Sequence, residues 1–259
     1  MANAFDLSGK VALVTGGNGG IGLGMADGLA AAGADLVIWG GNPDKNTAAE
    51  AKLSTHGRRV LVQRCDVADE QQVDGCFAEA LRQMGRIDAC FANAGVSQAR
   101  SAFHELHTRE WRRVLSVNLD GAFFTLRAAA RHMVGRAKGG DQGGRLVGMA
   151  STAAIHGAAH AHAYAASKGA LIAVIRALAV ELARYEITAN AILPGWIETE
   201  MTAAGIADPK FNAAVLPRIP MRRWGRKEDF AGIAAYLMSD ASRYHTGDSF
   251  VIDGAYTIF

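Results

Sequence analysis

The stretch Lys10–Gly22, KVALVTGGNGGIG, decides the fold. Lys10–Thr15 is an apolar run of strand length. A glycine-rich turn follows, and Ile21–Ala32 reads as a helix that Gly33 closes as a C-terminal cap. Within the turn, Gly17-Asn18-Gly19-Gly20-Ile21-Gly22 fits the pattern G-x-G-x-x-G. With 30 glycines in 259 residues, about 0.4 matches arise by chance, so position and not the pattern carries the reading. The run leaves a strand and opens a helix. There, small residues let the backbone approach a pyrophosphate, and the helix start supplies N–H donors and the positive end of its dipole.

Outward from this stretch the same alternation repeats. Strands are expected at Ala34–Trp39, Arg59–Cys65, Ile87–Ala92, Arg145–Met149, Ile187–Ile192 and Ser249–Ile252. Helices are expected at Ala48–His56, Glu70–Met84, Thr108–Leu119, Gly121–Met133, Tyr164–Arg184 and Lys227–Met238. The strands are apolar throughout instead of alternating, which means burial on both faces and hence a parallel sheet covered by helices. Right-handed crossovers then give a doubly wound α/β fold of seven strands, with its ligand at the carboxyl ends of the strands. No linker, repeat or low-complexity block interrupts the pattern, so residues 1–259 read as one dinucleotide-binding catalytic domain.

Composition removes other classes. Half of the residues are hydrophobic and 20% are charged, enough for a core and too apolar for a disordered chain. The net charge is only +2, against a dedicated nucleic-acid binder. Cys65, Cys76 and Cys90 are sparse, odd in number and never spaced C-x-x-C, so they read as reduced thiols and not as a disulfide or zinc framework. The start, MANAFDLSGK, has no apolar h-region, and the apolar run Gly169–Ala183 is broken by Arg176 and Glu181. A cytoplasmic protein without a membrane span is expected.

The chemistry lies in a second constellation. Tyr164 and Lys168 are four residues apart on the long expected helix and share its face, and Ser151 ends the fifth strand thirteen residues earlier. A Tyr-x-x-x-Lys pair with a serine at that offset occurs by chance about 0.005 times in a chain of this composition. A phenol titrates near 10 and is a poor acid–base catalyst at neutral pH. A nearby ammonium favours its phenolate, and a serine hydroxyl can hold the reacting oxygen.

With these residues the chain resembles the short-chain dehydrogenase/reductase family over its whole length. Thr15-Gly16-x-x-x-Gly20-Ile21-Gly22, with Asn18 inside it, matches the family's cofactor motif, Asp66-Val67 the acid that contacts adenine, and Asn93-Ala94-Gly95 the turn after the fourth strand. Asn118 matches the fourth member of the Asn-Ser-Tyr-Lys tetrad. Pro194-Gly195 with Ile197, Thr199 and Met201 matches the segment that holds the nicotinamide, and Pro220–Gly225, Thr246-Gly247 and Asp253-Gly254 match later landmarks. The resemblance implies an NAD(P)-dependent oxidoreductase that interconverts a ketone and a secondary alcohol. Tyr164 is then the general acid/base, Lys168 lowers its pKa and binds the nicotinamide ribose, Ser151 orients the carbonyl, and Asn118 holds a water that links Lys168 to solvent. A 3-oxoacyl thioester reductase and a sugar or polyol dehydrogenase are the alternatives within the family. A cofactor-binding regulatory protein on the same fold is the alternative outside enzymes, and the intact tetrad argues against it.

One departure concerns the cofactor. NAD-preferring members place Asp or Glu at the end of the second strand; here that position is Gly40, followed by Gly41. Nothing there repels a 2′-phosphate, so NADP(H) is favoured and NAD(H) remains usable, with Lys45 as a source of charge and Asp44 as the alternative ribose ligand. Substrate selectivity is expected from Ser97, Gln98, Ala153, His156 and Trp196, with a lid around residues 196–224. His156, His160 and His162 form H-x-x-x-H-x-H without a companion carboxylate and read as pocket lining, with no metal. The basic helix end Arg127, Arg131, Arg136 and Lys138 is an acyl-carrier docking candidate against a solvated default. The apolar tail Val251–Phe259 and the small residues around Ala128 and Ala173 match surfaces that the family uses in homotetramers.

Overall fold

The computed structural model describes residues 4–259. Its seven strands, β1 (Val11–Thr15), β2 (Asp35–Gly40), β3 (Val60–Arg64), β4 (Ala89–Ala92), β5 (Gly144–Met149), β6 (Ile187–Pro194) and β7 (Ser249–Ile252), form one sheet in the order β3-β2-β1-β4-β5-β6-β7. Every neighbouring pair is parallel, with Val14 opposite Ile38 on one side and Phe91 on the other. The chain runs from β1 outward to β3, then returns to place β4 on the far side of β1. The order therefore reverses at β1 and β4, and a crevice opens above their carboxyl ends.

Nine α-helices lie among the described residues: α1 (Gly20–Ala31), α2 (Pro43–Ser54), α3 (Glu70–Met84), α4 (Thr108–Leu115), α5 (Gly121–Lys138), α6 (His162–Leu182), α7 (Ala203–Ala207), α8 (Pro209–Val215) and α9 (Ala231–Met238). One core layer packs Leu13, Val37 and Trp39 of the sheet against Phe77, Leu126 and Ile175 of α3, α5 and α6. The other packs Val14, Ile38 and Phe91 against Met25, Leu53 and Leu237 of α1, α2 and α9. Adjacent strand residues thus serve opposite layers, which is why strands such as β1 and β6 are buried at every position.

The helix boundaries differ from the sequence expectation where side chains cap the chain. α2 begins at Pro43 and not at Ala48, because Asn42 Oδ1 accepts from the Lys45 N–H at 3.1 Å and proline suits the first turn. α3 matches its expected bounds, held by Asp69 at its start and the left-handed Gly85 at its end. α4 and α5 are joined by one π-helical turn, Ser116–Asp120, which carries the buried Asn118. The segment expected as a lid contains α7 and α8, whose short apolar patterns lack helical periodicity of their own. With its following turn to Tyr185, α6 is long and apolar enough to cross a membrane by length and composition. Here it packs on β5 and β6 and carries Tyr164 and Lys168.

Candidate active site

Two connected cavities lie above the reversal point. One, about 360 Å³, is lined by Gly16, Asn18, Gly20, Ile21, Gly22, Asn93, Ala94, Gly95, Ser151, Tyr164, Lys168, Pro194, Gly195, Ile197, Thr199 and Met201. The second, about 730 Å³, shares Gly16, Asn18, Ala94 and Gly95 and extends over Gly40, Asp66 and Val67. Apart from the alternative ribose ligand Asp44, every residue expected to contact the cofactor lines one of the two. The sequence reading did not single out Trp39, Arg64, Gln72, Glu200 and Thr202, which line them too.

The chain's first turn shapes the floor. No side chain caps α1, so its opening N–H groups stay available at the cleft. A Cβ on Gly22 would overlap the Gly16 carbonyl and the Asn93 amide, so this close turn accepts only glycine there. Thr15 Oγ1 accepts from the Asn93 and Ala94 N–H groups at 3.0 and 2.9 Å, and Asn93 Nδ2 donates to the Thr15 carbonyl at 2.8 Å. These bonds tie the turn after β4 to the turn after β1. The open floor between them has the size, the N–H donors and the lack of side chains that a dinucleotide requires.

Ser151, Tyr164 and Lys168 meet at the shorter cavity. Ser151 follows the end of β5 and accepts from the Ala153 N–H at 3.1 Å. Burial raises the Tyr164 phenol above its ordinary value, and a hydrogen bond with Ser151 pulls the other way. Lys168 is 4% exposed, and its ammonium donates to the Met149 carbonyl at 2.6 Å. Burial depresses it to about 8. Its Nζ lies 5.6 Å from the centre of the Tyr164 ring. Burial and the Ser151 hydrogen bond are thus the two influences on the phenol, and they oppose each other.

Asn118 sits behind this group. Its Oδ1 accepts from the Val96 N–H at 2.8 Å, while its Nδ2 donates to the Val96 carbonyl at 3.0 Å and faces Ser167 Oγ at 3.3 Å. The carboxamide is thus spent on fixing the loop after β4 against α6, a placement that the π turn makes possible.

The five expected substrate contacts lie outside both cavities and divide. Gln98 is buried, accepting from the Ala163 N–H at 2.7 Å and donating to the His160 carbonyl at 3.1 Å, so it pins the start of α6 instead of facing a ligand. The Ser97 carbonyl accepts from Arg113, and Ala153 holds Ser151. His156 and Trp196 instead pack on one residue that the sequence reading assigned only to the tail: the Tyr256 ring lies 5.7 Å from His156 and 6.3 Å from Trp196. The Arg218 guanidinium covers the same ring at 4.6 Å. The histidines diverge, His160 toward the Ser101 carbonyl and His162 toward Phe103, and no three His, Cys, Asp or Glu side chains converge among the described residues.

Asp44 lines neither cavity, and Lys45 lines the shorter one, where it pairs with Glu200. Both stand in the first turn of α2, just after the end of β2. In the basic helix end, Arg127 pairs with Glu70, and Arg136 with Asp88 and Asp141.

Comparison with known proteins agrees with this geometry. A family model described as enoyl-(acyl carrier protein) reductase matches residues 16–257. The chain is 35% identical over 254 residues to 2-dehydro-3-deoxy-D-gluconate 5-dehydrogenase of Escherichia coli K12, covering 98% of each chain. A short-chain type dehydrogenase/reductase from Mycobacterium marinum superposes with a TM-score of 0.91 at 36% identity, over 98% of each chain. A gluconate 5-dehydrogenase from Burkholderia cenocepacia J2315, solved with NADP and tartrate, superposes with a TM-score of 0.92 at 34% identity, over 99% of this chain and 98% of that one. With the seven-stranded order, the cleft over its reversal point and the Ser-Tyr-Lys group at its end, these likenesses place the chain in the short-chain dehydrogenase/reductase family, as an NAD(P)-dependent oxidoreductase of ketones and secondary alcohols.

Proposed function

We propose that the protein interconverts a keto and a hydroxy group on a sugar acid, with NADP(H) preferred over NAD(H). One observation carries the substrate class. Arg218, His156 and Trp196 gather on Tyr256 beside the segment that leaves Gly195, and Arg218 makes no ion pair among the described residues. An uncompensated guanidinium on an aromatic wall suits a carboxylate at the far end of a hydroxylated substrate. Of the basic helix end that a carrier protein would use, Arg127 and Arg136 are engaged in internal pairs.

In this reading the bound cofactor supplies or accepts hydride at its nicotinamide. Tyr164 donates its phenolic proton to the substrate oxygen during reduction and takes it back during oxidation. Ser151 hydrogen-bonds the same oxygen, Lys168 places positive charge beneath the phenol and toward the ribose, and Asn118 positions the loop that faces both. Residues 196–224 act as the lid of the single domain 1–259. The Lys45–Glu200 ion pair, which joins α2 to that segment across the cleft, supports this role.

The test is a rate comparison with NADPH between 5-keto-D-gluconate and an uncharged ketose of equal length. Arg218→Ala is expected to raise KM for the acid by about tenfold, equivalent to about 1.4 kcal/mol, and to leave the ketose KM in place. Equal effects on both substrates would remove the carboxylate from the proposal.

A cytoplasmic homotetramer completes the reading. It is supported by the exposed Phe123, Val180, Ile258 and Phe259 and by three unpaired thiols. Light scattering at micromolar concentration should give four times the chain mass; a monomer mass would refute the assembly.

A further inference from the structure

We propose that Arg64 selects for the 2′-phosphate of NADP(H), acting from the third strand instead of the second. The inference rests on the cofactor preference proposed above and gives it a residue.

Arg64 ends β3 and lines the longer cavity with Gly40, Gly41, Asp66 and Val67. It is the one cation in that lining, and it makes no ion pair among the described residues. The sheet register places it directly opposite Gly40. Residues paired in register on parallel strands project to the same face, so the guanidinium stem leaves the sheet beside the place where a second-strand acid would stand.

That place holds a side chain here only if Asn18 and Asn46 move. A Cβ on Gly40 would overlap Asn18 Nδ2 and Asn46 Oδ1. The two amides are joined, Asn18 Nδ2 donating to Asn46 Oδ1 at 2.7 Å and Asn46 Nδ2 donating to the Gly40 carbonyl at 3.0 Å. Neutral amides neither repel a 2′-phosphate nor attract one by charge. Lys45, the other nearby cation, is engaged by Glu200 at the opposite cavity. The charge that separates NADP from NAD is thus left to Arg64, whose planar fork suits bidentate contact with phosphate oxygens.

The experiment measures binding without turnover, by calorimetric titration of the intact protein with 2′,5′-ADP and with 5′-AMP. The ratio of the two affinities is expected to fall by about tenfold or more in Arg64→Ala and to fall less in Arg64→Lys, which keeps the charge but not the fork. Raising the ionic strength should shrink the ratio in the wild type and hardly alter it in Arg64→Ala. Melting curves of both variants report on folding. A ratio in Arg64→Ala within about twofold of the wild type overturns the assignment. A wild type that binds 5′-AMP more tightly overturns the NADP(H) preference instead, and the change in ratio between wild type and variant still decides the role of Arg64.

Discussion

Replacing Gly40 by aspartate would graft the acid of NAD-preferring relatives onto this chain, and the structure sets what it costs. The new Cβ displaces Asn18 and Asn46 from their bonds to each other and to the Gly40 carbonyl. Asn46 is 8% exposed, so its amide cannot turn to water without moving α2. Two lost hydrogen bonds at about 1 kcal/mol each, with part of one amide left unsatisfied, give a loss of about 2–4 kcal/mol in stability. For a chain of this size that corresponds to a fall in Tm of roughly 5–10 °C. The carboxylate also lands next to Arg64 across the β2–β3 register and neutralises it, so preference should swing toward NAD(H). Scanning calorimetry of Gly40→Asp, Asn46→Ala and the double variant, with cofactor titrations on each, measures both effects. Asn46→Ala makes room, so adding Gly40→Asp to it should cost less than adding it to the wild type. If Gly40→Asp alone melts within about 1 °C of the wild type, the amide pair does not fill the site and the reasoning fails.

Two further expectations concern the chemistry. Tyr164→Phe should lower kcat by roughly 10²–10⁴-fold while cofactor affinity, read by calorimetry, stays near that of the wild type; turnover above a few per cent would remove Tyr164 as the proton carrier. The pH dependence has a definite sign. Burial raises the phenol, so the base needed for alcohol oxidation appears only as pH rises, and oxidative kcat/KM should climb from pH 7 toward 10. Reduction uses the protonated phenol and should stay level through neutrality, then decline above about 8 as Lys168 loses its charge. Initial rates in both directions between pH 6 and 10 test this, and an oxidation optimum near 6 would contradict it.

The fold was legible because burial on both faces of a parallel sheet writes itself into local sequence. β1 and α1 could be read from Lys10–Gly22, and α3 from the glycine that ends it, because those signals are local in the chain. The same locality exposed Tyr164 and Lys168, four apart on one helix, with Ser151 thirteen residues before the tyrosine. Other features depend on partners distant in the chain. α2 lost its first turn in the reading because apolar periodicity begins only after Asn42 and Pro43 have started the helix. Gln98 looked like a ligand contact until its amide met residues 160 and 163. Lys45 looked like the phosphate's cation until Glu200, 155 residues away, met it. Arg64 carried no signal of its own inside the expected strand Arg59–Cys65; the register sets it beside Gly40. The sequence by itself determined the parallel sheet, the glycine turn and the spacing of Ser151, Tyr164 and Lys168, since each is fixed by near neighbours or a repeating period. Only the tertiary structure decided which charges are paired, that burial pushes the Tyr164 phenol up, and which side chains gather on Tyr256. Hydration and pairing are properties of the neighbours that folding brings together.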